Sequence, residues 1–363
     1  MLNLQRYPKT KNSSLKLSST ADDYILSYIS NNEVDKNNII LANDRFGYLS
    51  CHLYQWNPSI IINYSSQEKS ILSNCKNNNL SINSLQLLSP LENLTTKVSL
   101  ALIRVPKSME LFRLLLTQIH KQSNENTLVI AGFMTKYFSA QMVSIASEYF
   151  QEAEQSKAWK KSRLLLLKHP KKKDYKLNIN SIKTDYPFDL QQYPGVFSSN
   201  KIDIATRFLM DNINLKQTDT KILDLASGNG IIALKILKQL DENNWPEAEM
   251  HLLDNSILAI ESSKLNLKEY KAYYHYNDSL EDFDLNYFDL IVSNPPFHFE
   301  YEINTEISLH LFKESFEHLK KGGRFQVVYN RHLNYRPFLK KYFSSVNIRK
   351  ENHRFVVLEC IKS

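Results

Sequence analysis

Lys221-Ile222-Leu223-Asp224-Leu225-Ala226-Ser227-Gly228-Asn229-Gly230 passes from an apolar run into a turn with two glycines, and apolar residues at helical spacing follow over Ile231–Leu240. A buried strand, a tight turn and a helix in that order open an α/β unit with a parallel sheet. The turn sits where glycines let backbone approach a bound nucleotide closely. No Gly-Lys-Ser/Thr follows, so it is not a phosphate-cradling Walker loop. Many α/β proteins keep glycine at this point for packing alone, and the turn by itself does not choose.

The pattern repeats outward from this unit. Glu249–Asp254 reads as a second strand, Ser256–Leu267 as a helix, and Phe288–Ser293 as a strand that ends in Asn294-Pro295-Pro296-Phe297. Ile307–Leu319 reads as a helix, Gly322-Gly323 as a turn into the strand Arg324–Tyr329, and Arg354–Ile361 as a last strand. Asp254 closes its strand thirty residues after Asp224, where a carboxylate can accept from both hydroxyls of a ribose; a solvated strand-end Asp is the plainer alternative. Asn294-Pro295-Pro296-Phe297 is more specific. Its two prolines stiffen the chain and remove two donors, so the carbonyls before them are available to a ligand. Asn294 adds an amide oxygen and Phe297 a face on which a base can stack. Together they suit gripping a planar group by an exocyclic amine.

The first half carries a weaker copy of the same order. Asn38–Ala42, Val98–Val105 and Thr127–Gly132 read as strands and Leu111–His120 as a helix. Asn43 to Pro106 is 63 residues and Ser227 to Pro295 is 68, which points to an internal duplication. Where the second half has glycines and NPPF, the first has Asn43-Asp44-Arg45-Phe46-Gly47 and Arg104-Val105-Pro106-Lys107-Ser108. The expectation is two tandem Rossmann-like α/β domains, 1–178 and 186–363, the first with its chemistry removed. The run Lys157–Lys176, with nine basic residues and one acidic, is read as the linker.

Composition divides along the same line. The chain has 363 residues, enough for two domains, and a formal charge of +7. Residues 1–190 hold 24 basic and 15 acidic side chains, the remainder 21 and 23, so the whole excess lies in the first half. That asymmetry suits a polyanion partner for the first half. Only 7 residues are glycine, and four of them are Gly228, Gly230, Gly322 and Gly323; codon bias explains the scarcity but not the clustering. Cys51, Cys75 and Cys360 are scattered and odd in number, so neither a disulfide framework nor a metal site is expected. With no apolar run of ~20 residues, and no apolar core in the N-terminal stretch, the chain reads as a soluble cytoplasmic protein that meets no membrane.

DLASGNG, the strand-end Asp254 and NPPF, in this order and spacing, resemble a class I S-adenosylmethionine-dependent methyltransferase. LQRYP (4–8), ADDYIL (21–26), NDRFG (43–47), RVPKS (104–108), AWKKSRLL (158–165), GVFSSNKIDIATRFL (195–209), SNPPFH (293–298), NRHLNY (330–335) and FVVLECIK (355–362) extend the likeness over nearly the whole chain. They resemble the large-subunit (RlmG-type) branch of the bacterial ribosomal RNA guanine-N2 methyltransferases. The resemblance implies a degenerate, RNA-binding N-terminal copy and a C-terminal copy that binds S-adenosylmethionine and catalyses. It implies that Asp224, Ala226, Gly228 and Gly230 line the methionine end of the cofactor and that Asp254 holds its ribose. Asn277 and Asp278 would border the adenine, and Phe197 would close the pocket or, equally, cap a core. Asn294, Pro295 and Phe297 would hold the guanine. Lys160, Lys161, Arg163, Lys171, Lys172, Lys173 and Arg331 are the expected contacts to 23S ribosomal RNA, and a monomer is expected. The family's first turn glycine and following cysteine stand here as Ala226 and Ser227, and an added methyl could crowd the cofactor.

A sulfonium donor needs little acid catalysis, and no general base is evident. Acceptors on the guanine amine would aim its lone pair, leaving positioning and electrostatics to supply the rate once the base has left its stack. Three other readings stand beside this one: methylation of small-subunit 16S RNA, methylation of a protein glutamine, and a non-catalytic RNA-binding protein. The glutamine reading gives no use for the basic half, and intact Asn294 and Phe297 oppose loss of catalysis.

Overall fold

The computed structural model describes residues 2–10, 12, 14–199, 201–296, 298–299, 302–303 and 305–363, with no side-chain description for 298–299 and 302–303. The chain forms two compact units, Met1–Asn178 and Ile179–Ser363. Residues 179–185, left between the two expected domains, belong to the second.

The first unit runs α1 (Thr20–Asn31), β1 (Ile39–Ala42), α2 (Tyr48–His52), β2 (Ser59–Ile61), α3 (Ser65–Asn77), β3 (Gln86–Leu88), β4 (Val98–Arg104), α4 (Met109–Lys121), β5 (Ser123–Met134), α5 (Ala140–Tyr149), β6 (Phe150–Gln155) and β7 (Ser162–Pro170). The second opens with the hairpin β8 (Asn180–Ile182) and β9 (Leu190–Gln192), then α6 (Ile204–Met210), β10 (Lys221–Leu225), α7 (Ile231–Glu242), β11 (Glu249–Asp254), α8 (Ile257–Asn266), β12 (Ala272–Tyr276) and β13 (Phe288–Ser293). A short pair, β14 (His298–Phe299) and β15 (Glu302–Ile303), precedes α9 (Thr305–His318), β16 (Leu319–Asn330), α10 (Arg336–Leu339), β17 (Ser345–Glu351) and β18 (Phe355–Ile361). The two seven-stranded sheets have one topology: β3-β2-β1-β4-β5-β7-β6 and β12-β11-β10-β13-β16-β18-β17. Five strands of each are parallel and the last two pairings antiparallel. The central strands bury both faces, so β1 and β10 read as continuous apolar runs rather than alternations.

Backbone detail repeats as well. In the first unit, the residue leaving β1, Asn43, has φ +60°, and Gly47, four residues on, has φ +77° and caps α2. In the second, Ala226 leaves β10 with φ +61° and Gly230 caps α7 with φ +77°. Both sheets also slip at an equivalent place. Val98 pairs with Ser123 and Leu100 with Leu128; Phe288 pairs with Leu319 and Leu290 with Arg324. Gly322-Gly323 therefore lies inside β16 at this slip instead of ahead of the strand, because the ladder resumes on both sides of it.

Strand register aligns the two copies residue by residue. Ala42 pairs with Ile61 and Ile103, as Leu225 pairs with Leu253 and Ser293. Leu41 then stands where the second unit has Asp224, Ile62 where it has Asp254, and Arg104 where it has Asn294. The first unit has kept the fold and replaced the polar groups at the strand ends. Its Arg104 is committed to buried Asp22, 3.4 Å away.

The run Lys157–Lys176 is not a linker. Most of it is the turn between β6 and β7 and then β7 itself, in which Leu164, Leu165 and Leu167 are buried in the sheet. Leucines 164–167 sit between the basic residues, so charge density concealed a strand.

Left-handed backbone costs a non-glycine residue roughly 1–2 kcal/mol. Gly230, by contrast, has no room for a side chain: an added Cβ would lie 2.7 Å from Ser263 Cβ and 2.8 Å from Leu267 Cδ1. Ala226→Gly should raise stability by about 1 kcal/mol, or roughly 2–4 °C in Tm, while Gly230→Ala should lower it by about 1–3 kcal/mol through overpacking. Thermal melting of the two variants checks both signs.

Candidate active site

The site forms where β10, β11 and β13 end side by side. Ser227 N–H donates to the Leu253 carbonyl (3.1 Å), and Ser293 Oγ donates to the Leu225 carbonyl (2.7 Å), so the three strand ends are laced together. Asp254 fixes the turn: Gly228 N–H donates to its Oδ2 (2.9 Å) and Ser256 N–H to its Oδ1 (2.8 Å). Burial pushes its carboxyl pKa up, against those two hydrogen bonds. Each oxygen keeps a further lone pair for a ribose hydroxyl. A Cβ added to Gly228 would meet nothing within 4 Å, whereas the same space at Gly230 is filled by α8 and β11. Gly228 therefore leaves room for a ligand, and Gly230 serves helix packing.

Asp224 is fully buried, with Oδ2 accepting from Ala233 N–H (3.0 Å) and Oδ1 lacking any partner. Burial, aided by the nearby Asp254 charge, pushes its pKa up to about 7, and the Ala233 hydrogen bond only partly opposes this. The hydroxyl of Ser227 is buried and unpartnered too. Two orphaned oxygens beside an open glycine fit a polar, cationic ligand such as S-adenosylmethionine.

Asn277 is drawn beside Asp254, its N–H donating to the Asp254 carbonyl (3.2 Å). Its side chain serves local structure, donating to Asp282 (2.7 Å) and accepting from Asp278 N–H (2.8 Å). Asp278 is half-buried next to it. Phe197 is 70% exposed, which excludes the core-capping alternative.

The residue that sequence reading missed is Gln192. It is fully buried; its Oε1 accepts from Asn229 Nδ2 of the glycine turn (2.7 Å), and its Nε2 donates to the Val196 carbonyl (3.0 Å). One side chain thus ties the segment bearing Phe197 to the turn. Asn266 completes the clamp, donating to the carbonyls of Asn229 (2.8 Å) and Gln191 (2.9 Å). Glutamines and asparagines abound in this chain, and no spacing marked these two.

Asn294 leaves β13 half-buried, and its amide Nδ2 donates to Thr206 Oγ1 (2.9 Å) and Asp203 Oδ2 (3.3 Å) at the start of α6. Both amide hydrogens are spent, which fixes the plane and frees Oδ1 to accept. The Pro296 carbonyl is taken by Ser308 Oγ (2.6 Å), while Pro295 is buried. Phe297 lies outside the described residues.

The expected RNA contacts fall at separate places. Lys160 and Lys161 lie exposed at the β6–β7 turn, with half-buried Arg163 one residue into β7. Lys171, Lys172 and Lys173 follow the other end of β7, roughly 25 Å away at ~3.3 Å per residue. Lys171 Nζ donates to the Ser147 carbonyl (2.6 Å), beside the end of α5. These lysines do not form one patch. Arg331 is in the second unit, just past β16, and pairs with Glu351 (2.8 Å).

Residues 187–359 match the family model for the methyltransferase small domain, and residues 1–172 match that for the RLMG N-terminal domain. Fold and site together define an S-adenosylmethionine-dependent methyltransferase of the α/β class. A Thermus thermophilus 16S ribosomal RNA guanine-N2 methyltransferase, solved with S-adenosylmethionine and guanosine, superposes with a TM-score of 0.79. It covers 100% of this chain and 95% of its own at 18% identity, which establishes the shared fold. Relatives termed ribosomal RNA large subunit methyltransferase G align end to end. That of Psychromonas ingrahamii is 30% identical over 99% of this chain and 96% of its own, and that of Aliivibrio fischeri 31% identical over 100% and 96%. The chain belongs to the ribosomal RNA large subunit methyltransferase G family. Among the described residues no helix is long and apolar enough to cross a membrane.

Asp224 yields a test independent of ligand. A carboxyl whose folded pKa is raised from 3.8 to about 7 binds a proton on folding, so its stabilising contribution is full below pH 4 and is lost as pH rises through 7. Three pH units correspond to on the order of 4 kcal/mol. The ligand-free protein should lose stability relative to Asp224→Asn as pH is raised from 4 to 8. Denaturant melts of both proteins at matched pH would show a constant gap if the carboxyl is already ionised.

Proposed function

We propose that the protein transfers the methyl group of S-adenosylmethionine to the exocyclic N2 amine of a guanine in 23S ribosomal RNA. The second unit catalyses, and the first contributes basic contacts to the RNA. The observation that carries this reading is Asn294, whose amide is locked by Thr206 and Asp203 so that Oδ1 projects as a fixed acceptor. The methyl-transferase membership of the chain and the end-to-end relatives named for large-subunit RNA support the choice of substrate.

The cofactor supplies an electrophilic methyl on a sulfonium, which needs no activation by the protein. Asp224 Oδ1 and the space at Gly228 would receive its methionine end, Asp254 its ribose, and Asn277 with Asp278 the adenine side. Gln192 ties the Phe197 segment to the turn, and that exposed ring would cover the bound group. Guanine's amine is a weak nucleophile because its lone pair is delocalised into the ring. Asn294 Oδ1 and the Pro295 carbonyl accept its two hydrogens, which turns the lone pair toward the methyl and disfavours the delocalised geometry. Phe297 provides the stacking face for the flipped base. No side chain needs to act as a base, since the proton is lost from a methylated, cationic amine to solvent. A glutamine amide would meet the same acceptors, but it leaves the +9 first half without a partner.

Asn294→Ala should lower single-turnover methyl transfer to 23S RNA by on the order of 10²–10³, the usual loss for one preorganised polar contact, with cofactor affinity unchanged. Thr206→Val should give a smaller loss of the same kind, because it removes the orienting acceptor and keeps the amide. Wild-type transfer by folded Asn294→Ala would refute the gripping role.

A further inference from the structure

Beyond the strand end that carries Asn294, the second unit has a cleft of about 570 Å³ lined by Asn330, Arg331, His332, His353, Arg354 and Phe355. That volume lies within the range of small-ligand sites. Its place follows from register. Ser293 of β13 pairs with Val327 of β16, so Asn294–Pro296 leave β13 at the edge where β16 runs on through Val328–Asn330, paired there with β18. Asn330 pairs in turn with Phe355 at the start of β18, and Arg331 N–H donates to the Arg354 carbonyl (2.8 Å). At ~4.8 Å per strand, the cleft begins within roughly 10 Å of Asn294.

Its chemistry is that of a nucleotide. Its lining combines the buried Phe355 with two imidazoles and two guanidiniums. Such planes stack on bases, and the guanidiniums take phosphate. Arg331 pairs with Glu351 and donates to the Asn352 carbonyl (3.0 Å), but Arg354, His332 and His353 make no side-chain hydrogen bond or ion pair among the described residues.

The first unit repeats this corner. Met134 pairs with Ser162 as Asn330 pairs with Phe355, and Thr135 N–H donates to the Lys161 carbonyl (2.9 Å) as Arg331 donates to that of Arg354. Lys160 and Lys161 therefore occupy the places of His353 and Arg354, with Lys160 Nζ 4.5 Å from the centre of the Trp159 ring. The first copy lacks both strand-end carboxylates yet carries cations at these two places, while Ser162 stands where the second copy has Phe355. Both copies thus present cations at this corner, which suits a polyanion.

We propose that the Arg331–Arg354 cleft is a subsite for the nucleotide adjoining the target guanine, with its phosphate on Arg354 and its base against the imidazoles. The proposal rests on the RNA-methylating reading above. Arg354→Glu is the test, and Lys271→Glu, an exposed residue at the start of β12 on the opposite sheet edge, is the charge-matched control. Both variants are measured for binding to 23S RNA across a salt series and for methyl transfer. Arg354→Glu should weaken RNA binding at least five-fold more than the control, reduce the salt slope by about 0.7–0.9, raise KM for RNA and leave cofactor affinity unchanged. Equal effects of the two variants, or a wild-type slope in Arg354→Glu, would overturn the subsite. Failure of the wild-type protein to methylate RNA would instead overturn the parent reading, and the subsite with it.

Discussion

The site depends on one backbone constraint: the chain must leave a buried central strand and enter a helix within five residues. It does so with left-handed residues first and last, Ala226 and Gly230, and the carboxylate of Asp254 holds the amide between them. From this bend follow the gap at Gly228, the close approach of α7 to α8, and the orphaned Oδ1 of Asp224. Because Asp254 lies on the next strand, the parallel register of β10 and β11 positions the turn. The sheet is therefore part of the site, and its core stability is transmitted to the cofactor edge through two hydrogen bonds. The strain at Ala226 is affordable because the surrounding ladder over-determines the turn.

Much of this was legible in the sequence. Parallel strands buried on both faces are continuous apolar runs, so KILDLA, EMHLLD, FDLIVS and NIILA identify themselves, and the glycine and proline punctuation marks their ends. Edge strands escape that logic. β3 is three residues long, and β6 is polar along most of its length. β7 was hidden differently, since its leucines lie within a basic run and charge dominated the reading. The duplication was visible as spacing, but register corrects the alignment by one place, so that Asn43 answers to Ala226 and Pro106 to Pro296.

Site residues followed a similar division. Asp224, Asp254 and Asn294 sit at strand ends, with Gly228 in the turn that follows β10, so topology brings them together. Gln192 and Asn266 work through hydrogen bonds between segments distant in sequence, and they belong to residue types common throughout the chain. Nothing local distinguishes a clamping amide from a solvated one. The basic residues show the converse error: neighbours in sequence, Lys161 and Lys171 lie at opposite ends of one strand.

The two units separate what a fold requires from what chemistry requires. The first has retained the topology, the left-handed bend, the ladder slip and the cationic hairpin corner. It has lost the groups equivalent to Asp224, Asp254 and Asn294, now Leu41, Ile62 and Arg104. Two apolar side chains at those strand ends would meet the ammonium and ribose of a cofactor with no acceptor, a desolvation cost of several kcal/mol. Under the proposed function, these replacements leave the first unit without the groups that would hold a cofactor, while its backbone survives. On the same reading this contrast is what would be expected, with the carboxylates serving a cofactor in the second unit and the cations of the first half, which holds the basic excess, serving a polyanion.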